Sequence, residues 1–80
     1  MYFVYCLKSE ERNYIYVGMT NNIERRFNEH QSGKNKTTKP YRPFVLFYSL
    51  TFESRIAARK KEIELKSGAG KEFLKSMLKK

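Results

Sequence analysis

The stretch that most constrains the fold is residues 2–18, which reads as a β-hairpin. Residues 2–8 and 14–18 are rich in Tyr, Val, Ile and Phe, and every residue of 9–13 between them is polar. Strong strand formers on both sides of a short polar segment are typical of two antiparallel strands joined by a turn. The sequence therefore predicts a hairpin over this stretch.

Two tyrosines of the hairpin fall on one face of the predicted sheet. A turn centred between residues 10 and 11 would place Tyr5 directly opposite Tyr16, and directly opposed residues point to the same face. Gly18 would leave open backbone beside the two phenols. On spacing alone, the pair reads first as ordinary aromatic packing across two strands.

The composition indicates one small folded domain over residues 1–80. Hydrophobic residues are 40% of the chain and twelve side chains are aromatic, which is enough for one compact core and too much for a disordered chain. No apolar run approaches the roughly 20 residues of a membrane span. The N-terminal residues lack the pattern of a signal peptide. We therefore expect a cytoplasmic location.

The net charge of +9, from 17 basic and 8 acidic residues, indicates a polyanionic partner. Neutralising phosphates releases counterions, which favours binding of nucleic acid. An anionic membrane is the rival partner, but no predicted helix has a Trp, Phe and Leu face opposite a purely basic one. One cysteine and one histidine exclude a zinc finger. We interpret the cysteine, Cys6, as a small buried side chain on the face opposite Tyr5.

The segment after the hairpin reads as a helix over residues 22–32. Asn21 is the expected N-cap, with Glu24 completing a capping box, and Gly33 is the expected residue after the last turn. Apolar and aromatic side chains at helical spacing should face inward. That stripe consists of Ile23, Phe27 and His30.

Arg26 lies at the edge of this stripe, so its guanidinium and the His30 ring can share one locale. Two other interpretations stay open. His30 could be a hydrogen-bonded core histidine. Arg26 could form a surface ion pair with Glu29 or Glu24, which would contribute little to stability.

Residues 33–43 read as a loop, because two prolines and a glycine interrupt regular structure. Its cations are interleaved with Thr37, Thr38 and Tyr41, and such a mixture suits a nucleic-acid backbone with an exposed base. A solvated polar loop is the alternative. The candidate nucleic-acid contacts are Lys34, Lys36, Lys39 and Arg42.

The remaining chain predicts one strand and two helices. Residues 44–50 are nearly all apolar, which is typical of a strand buried on both faces. Helices are expected over 54–66, capped by Ser54, and over 70–80. In the last helix, the expected inward side chains are Phe73, Leu74, Met77 and Leu78. The predicted fold class is α+β in the order ββαβαα, with hairpin 2–18 and central strand 44–50 in a three-stranded antiparallel sheet, flanked by three helices.

Helix 54–66 directs one carboxylate into its apolar arc. On a helical projection the arc runs from Leu65 round to Ile56, and Glu62 lies inside it. A buried carboxylate is costly unless it is paired or bound to a cation. The candidate partners are Arg26 and a divalent metal ion. A purely structural ion pair, or a helix rotated enough to expose Glu62, is the alternative.

Together these segments resemble the GIY-YIG nuclease superfamily, and most closely its small stand-alone members related to the nuclease domain of the bacterial excision-repair incision subunit. Phe3-Val4-Tyr5 stands where that family has GIY, and Tyr16-Val17-Gly18 stands where it has YIG. The resemblance spans nearly the whole chain. By position it makes Arg26 the catalytic arginine, His30 the family's tyrosine or histidine, and Glu62 the metal-binding glutamate. Met19 stands where some members have a lysine.

The resemblance implies a metal-dependent endonuclease that hydrolyses DNA phosphodiester bonds. Glu62 would hold one Mg²⁺ or Mn²⁺, Arg26 would stabilise charge on the phosphoryl oxygens, and Tyr5 would position water or phosphate. Tyr16 is our choice of general base, with His30 relaying the proton or orienting Tyr16; His30 as the base stays open. The DNA, branched, single-stranded or damaged, would contact Gly18 and the loop cations. We expect a monomer or weak dimer, and a partner protein could direct it.

A second hypothesis is a nucleic-acid-binding module on the same fold that does not cleave. The basic surface alone supports it as well as it supports the nuclease.

Overall fold

The computed structural model describes residues 1–79, and Lys80, the predicted last residue of the final helix, lies outside the described residues. The elements follow the predicted order ββαβαα, which confirms the fold class. In chain order they are β1 (Tyr2–Ser9), β2 (Ile15–Thr20), α1 (Ile23–Ser32), one turn of 3₁₀ helix (Lys39–Tyr41), β3 (Phe44–Phe52), α2 (Arg55–Lys66) and α3 (Gly68–Leu78).

The sheet is antiparallel and its strand order is β2-β1-β3, so β1 is the central strand. The prediction that residues 44–50 form the central strand is wrong. Four consecutive residues of β1, Val4 to Leu7, are fully buried, whereas Val45 and Leu46 of β3 are exposed. A continuous apolar run therefore marks β3 as a strand without specifying its place in the sheet.

The hairpin register is shifted by two residues from the predicted one. Tyr5 lies opposite Gly18, and Tyr16 lies opposite Leu7. The turn is longer than expected: the Ser9 N–H donates to the Tyr14 carbonyl at 3.0 Å. Because side chains alternate with a period of two, a shift of two residues leaves every side chain on its original face.

Each face of the sheet carries its own hydrophobic cluster. On one face, Val4, Cys6 and Val17 of the sheet pack against Ala58 and Leu65 of α2. On the other face, the cluster is built on Tyr5, Leu7 and Phe44, with Ile23 and Phe27 of α1 packed against it. Cys6 is buried opposite Tyr5, as predicted, and burial raises the pKa of its thiol to about 12.

The helix ends differ from prediction in two places. The N-cap of α1 is Asn22, whose side chain accepts from the Arg25 N–H at 3.0 Å, so the predicted Asn21–Glu24 capping box does not form. Gly33 ends α1 with φ of 84°, the left-handed conformation that glycine adopts without strain. Ser54 caps α2 as predicted, and Ser67 caps α3 through the Gly70 N–H, so that α3 begins two residues earlier than expected.

Helix α2 is rotated relative to the predicted arc. Its buried residues are Ala58, Glu62 and Leu65, whereas Ile56 and Ile63 are 76% and 57% exposed. The inward position of Glu62 was predicted correctly and the inward positions of the two isoleucines were not. In α3, Leu74 is buried and Met77 packs on the core, while Phe73 and Leu78 are exposed against expectation.

Among the helices of residues 1–79, none combines the length and the apolar composition that crossing a bilayer requires.

Candidate active site

Tyr5 and Tyr16 lie on the same face of the sheet, with ring centroids 6.0 Å apart and planes tilted by 45°. They are diagonal rather than directly opposed, because Gly18 is the residue opposite Tyr5. A Cβ atom on Gly18 would lie 2.6 Å from the Tyr5 hydroxyl oxygen and 2.8 Å from Cε2 of Tyr16. Gly18 is buried under these rings. The predicted open backbone at Gly18 is therefore wrong, and the glycine instead makes room for the Tyr5 phenol.

His30 of α1 is fully buried against this tyrosine pair. Its ring centroid lies 5.9 Å from that of Tyr5 and 4.7 Å from that of Tyr16. Nε2 of His30 is 3.0 Å from the Tyr5 hydroxyl, and Nδ1 is 2.9 Å from the Thr38 hydroxyl. Both ring nitrogens thus have hydrogen-bond partners inside the protein.

Arg26 and His30 meet at the Tyr5 phenol. Arg26 lies one turn before His30 on α1, and its guanidinium lies beside the Tyr5 hydroxyl. It also forms an ion pair with Glu29, with Nη1 2.8 Å from Oε1, so the ion pair suggested by the sequence coexists with the contact to the phenol. The shared locale of Arg26 and His30 was predicted from their helical spacing.

Burial sets the protonation of this cluster. Burial and the neighbouring Tyr16 raise the pKa of Tyr5 to about 12, although Arg26 acts in the opposite direction. Burial and the charge of Arg26 lower the pKa of His30, against a smaller effect of Glu29. At neutral pH the site therefore contains a protonated phenol and a neutral imidazole beside a guanidinium.

Thr38 is the site residue that sequence reasoning missed. It is fully buried in the loop after α1, where its hydroxyl contacts His30. Its neighbour Thr37 is exposed. Nothing in the spacing of the loop distinguishes the two threonines, so no sequence signal could have selected Thr38.

Glu62 lies on α2 and pairs with neither of its expected partners. Its Oε1 is 2.7 Å from Arg59 Nη1, and its Oε2 is 3.2 Å from Lys66 Nζ. Arg26, the expected partner, is on α1, and α2 packs on the sheet face opposite the tyrosines. The structure thus brings together Tyr5, Tyr16, Arg26 and His30. Glu62 lies apart from this cluster.

An open groove of about 510 Å³ lies along the free edge of β2. Tyr16 lines the groove together with Lys66, the partner of Glu62. Two further lysines, Lys71 and Lys75 of α3, line it as well. The remaining lining residues are Asn13, Tyr14, Ile15 and Val17. The groove is therefore lined by Tyr16, by three lysines and, through Lys66, by a partner of Glu62.

A second cavity, of about 270 Å³, lies at the other end of β2. Three arginines line it: Arg25, Arg26 and Arg55. Met19 also lines it. Because Arg26 reaches both this cavity and the Tyr5 phenol, the positive charge continues from the site into the cavity.

The cations of the 33–43 loop are exposed, as predicted, but its aromatic ring is not free. Lys34, Lys36, Lys39 and Arg42 all face solvent. The Tyr41 ring stacks on Tyr14 with centroids 3.8 Å apart and planes 7° from parallel, and the Arg12 guanidinium lies 5.8 Å from its centroid. The expectation that Tyr41 offers an open face to a base is therefore wrong, because its ring anchors the loop to the hairpin.

Glu62 is the residue that would hold a metal ion. Within residues 1–79, no group of three or more His, Cys, Asp or Glu side chains is arranged to bind one. A Mg²⁺ ion requires only one or two carboxylates, with water and phosphate oxygens completing its shell. The donor chemistry of Glu62 fits such a single-carboxylate site, provided that the cations of Arg59 and Lys66 move aside.

Comparison with known proteins agrees with this geometry. The family model of the GIY-YIG catalytic domain matches residues 1–74. The chain belongs to the GIY-YIG family. The matched residues include the triplets 3–5 and 16–18 as well as helices α1 and α2. The resemblance seen in the sequence is therefore confirmed.

Relatives of this GIY-YIG domain include UPF0213 proteins. One from Vibrio campbellii is 47% identical over 64 residues, covering 79% of this chain and 61% of that protein. One from Staphylococcus haemolyticus is 39% identical over 75 residues, covering 92% of this chain and 90% of that protein. The chain thus spans about three fifths of the length of the Vibrio relatives that it matches.

The fold is also similar to a solved structure. The solution structure of a UPF0213 protein from Bacillus halodurans matches with a TM-score of 0.57 at 36% identity. The match covers 96% of this chain and 85% of that one. A UPF0213 protein of known structure therefore shares the fold of this chain.

Proposed function

We propose that this GIY-YIG domain is a metal-dependent endonuclease that hydrolyses DNA phosphodiester bonds. The observation that carries the proposal is the cluster in which His30 contacts the Tyr5 hydroxyl and Arg26 influences its charge, beside Tyr16, which lines a cationic groove. A guanidinium, a neutral imidazole and two phenols provide charge stabilisation and proton transfer at one point.

Each residue of the cluster has a separate task. Arg26 contributes positive charge and N–H donors to the phosphoryl oxygens, where negative charge grows during attack. Tyr5 keeps its proton at neutral pH because its pKa is about 12, so it remains a neutral phenol that positions the attacking water. Tyr16, half-buried and lining the groove, is the proposed general base, and His30, neutral at pH 7, is the alternative base.

Glu62 is the proposed ligand of Mg²⁺ or Mn²⁺. Such an ion, when bound, neutralises phosphate charge and stabilises the leaving oxygen. Glu62 would present one carboxylate oxygen towards the groove that Tyr16 lines, with Lys66 between them. A metal ion would replace Arg59 and Lys66 at the Glu62 carboxylate. The exposed positions of these two side chains favour the replacement, because both cations can remain hydrated when they release the carboxylate.

The substrate strand would follow the positive surface near Tyr16. Lys66, Lys71 and Lys75 line the groove together with Tyr16, and the loop cations Lys34 and Lys36 are exposed. This arrangement supports a nucleic-acid substrate, since phosphate contacts dominate such affinity. A cytoplasmic location and targeting by a partner protein stay predictions from the sequence.

Cleavage assays test the nuclease proposal. Plasmid, single-stranded and branched DNA, with RNA of matching shape, are incubated with Mg²⁺ or Mn²⁺ and with chelator. We expect metal-dependent cutting by the wild type, strong loss in Glu62→Gln and Arg26→Gln, and wild-type activity in Lys60→Gln, an exposed α2 control. No metal-dependent cutting of any substrate, or equal cutting by Glu62→Gln, would sink the proposal.

One observation favours the second candidate, a binding module that does not cleave. Both carboxylate oxygens of Glu62 are engaged by cations, which is an inactive arrangement if they are never released. For this candidate, binding of the same DNA panel is unaffected by chelator and by Glu62→Gln, and it weakens steeply as salt rises. Measuring binding and cleavage on one preparation separates the two functions.

A further inference from the structure

A continuous hydrogen-bond chain runs from the loop to the Tyr5 phenol. The Thr38 hydroxyl lies 3.4 Å from the Asn35 carbonyl oxygen and 2.9 Å from Nδ1 of His30. On the far side of the ring, Nε2 of His30 lies 3.0 Å from the Tyr5 hydroxyl. Thr38, His30 and Tyr5 are all fully buried, so water does not compete for these contacts.

The chemistry at the Asn35 end sets the direction of the protons. A carbonyl oxygen can only accept, so a Thr38 hydroxyl that donates to Asn35 presents its lone pairs to the imidazole. A neutral imidazole carries its proton on one nitrogen and accepts on the other. Nδ1 of His30 then carries the proton, and Nε2 accepts one from Tyr5.

We propose that Thr38 is a positioning residue that holds His30 in the Nδ1–H tautomer, so that Tyr5 donates to Nε2 and turns its oxygen lone pairs towards Arg26 and the reacting groups. In the opposite tautomer, Nε2–H would occupy a lone pair of Tyr5 and the phenolic proton would point elsewhere. The tautomer is independent of the proposed nuclease function, whereas its effect on cleavage rests on that function.

The loop is built to hold the Thr38 hydroxyl in place. The side-chain oxygen of Asn35 accepts from the N–H groups of Thr37 and Thr38 at 2.9 and 3.3 Å. Beyond this turn, the short 3₁₀ segment ends at Tyr41, whose ring is stacked on Tyr14 of the hairpin. The loop is therefore anchored on both sides of Thr38, which fixes the donor and acceptor geometry at Nδ1 before substrate arrives.

Nitrogen-15 NMR of the imidazole tests the assignment without any cleavage. His30 is the single histidine of the chain, so its ring resonances are unambiguous. At a pH where the ring is neutral, we expect wild type to show a protonated Nδ1 and an unprotonated Nε2. Thr38→Val keeps the shape and removes the acceptor, so we expect the proton to move to Nε2. Thr38→Ser should keep the wild-type pattern, and the exposed Thr37→Val should leave it unchanged.

The catalytic consequence has its own readout. In Thr38→Val we expect kcat to fall about tenfold with little change in KM, a loss at the lower end of that caused by removing a residue that orients a metal-ligating histidine. The Thr38→Ser variant should have the kcat of the wild type.

An Nε2–H tautomer in the wild type, or an unchanged pattern in Thr38→Val, overturns the proposal. If Thr38→Val does not fold, the wild-type and Thr38→Ser spectra still decide it. If the tautomer is as expected and no nucleic acid is cut, the nuclease proposal fails and the tautomer assignment stands.

Discussion

The α-carbon of Gly18 lies so close under the Tyr5 ring that an added Cβ would be 2.6 Å from the phenol oxygen and 2.7 Å from Cζ. Tyr5 is fully buried and held by His30, so its ring cannot retreat. The packing of Tyr5 therefore requires a glycine at position 18. This relationship explains why the glycine stands opposite Tyr5 in the sheet.

Gly18→Ala should be destabilising and should displace the Tyr5 phenol. We expect a loss of about 1–3 kcal/mol in the free energy of unfolding, because overpacking a buried site forces neighbours out of position. Urea denaturation measures it. Gly68→Ala is the matched control: nothing lies within 4 Å of its Cβ position, and it sits in the first turn of α3, so stability should be unchanged or slightly higher. Equal stability of the two variants would contradict the packing role.

His30 should make the protein less stable in mild acid. Its pKa is lowered in the folded state by burial and by Arg26, so the unfolded chain takes up the proton first as pH falls. The stabilisation is complete above the unfolded pKa of about 6.5 and is lost as pH falls from there through the lower folded value. Urea midpoints from pH 8 to 5 should therefore decline more steeply in wild type than in His30→Gln. Parallel curves would show that His30 titrates alike in both states.

Glu62→Gln should remove metal-dependent activity without unfolding the protein. The partners of Glu62 are largely hydrated, with Arg59 61% and Lys66 52% exposed, so neither is left as a buried unpaired charge. We expect a change below about 1 kcal/mol in unfolding free energy, as for surface ion pairs. A loss of about 3 kcal/mol or more, typical of breaking a buried pair, would instead assign Glu62 a structural role.

The lysines of the β2-edge groove should carry part of the nucleic-acid affinity. In the double variant Lys71→Ala/Lys75→Ala, the slope of log affinity against log salt for a single strand should become shallower by about 0.7 for each phosphate that the protein no longer neutralises. Fluorescence anisotropy with a labelled single-stranded oligonucleotide measures this slope. Lys60→Ala, on the exposed side of α2, is the control with an unchanged slope. If the groove variant and the control behave alike, the strand does not follow this groove.

The elements and most site residues could be predicted because they depend on local periodicity. The alternation of side chains along the strands predicts that Tyr5 and Tyr16 lie on one face of the sheet. That prediction is correct although the predicted register is wrong by two residues, because a shift of two keeps every side chain on its face. Helical spacing put Arg26 and His30 on one side of α1, and both reach the Tyr5 phenol. Glu62 faces inward as the helical projection indicated.

What could not be predicted depends on contacts between distant segments. The rotation of α2, which exposes Ile56 and Ile63, is set by packing against the sheet and α3 rather than by its own apolar pattern. The partners of Glu62 follow from that rotation. The burial of Thr38 follows from where the loop lands on α1.

Residue type and local period are enough to establish the ββαβαα order, the positive charge and which side chains share a face, so all of these can be read from the sequence. Packing of the folded chain is needed to make β1 the central strand, to place Gly18 beneath Tyr5 and to bring Thr38 to His30. Each of these depends on the distance between residues far apart in the chain, and only the packing of the whole molecule sets such distances.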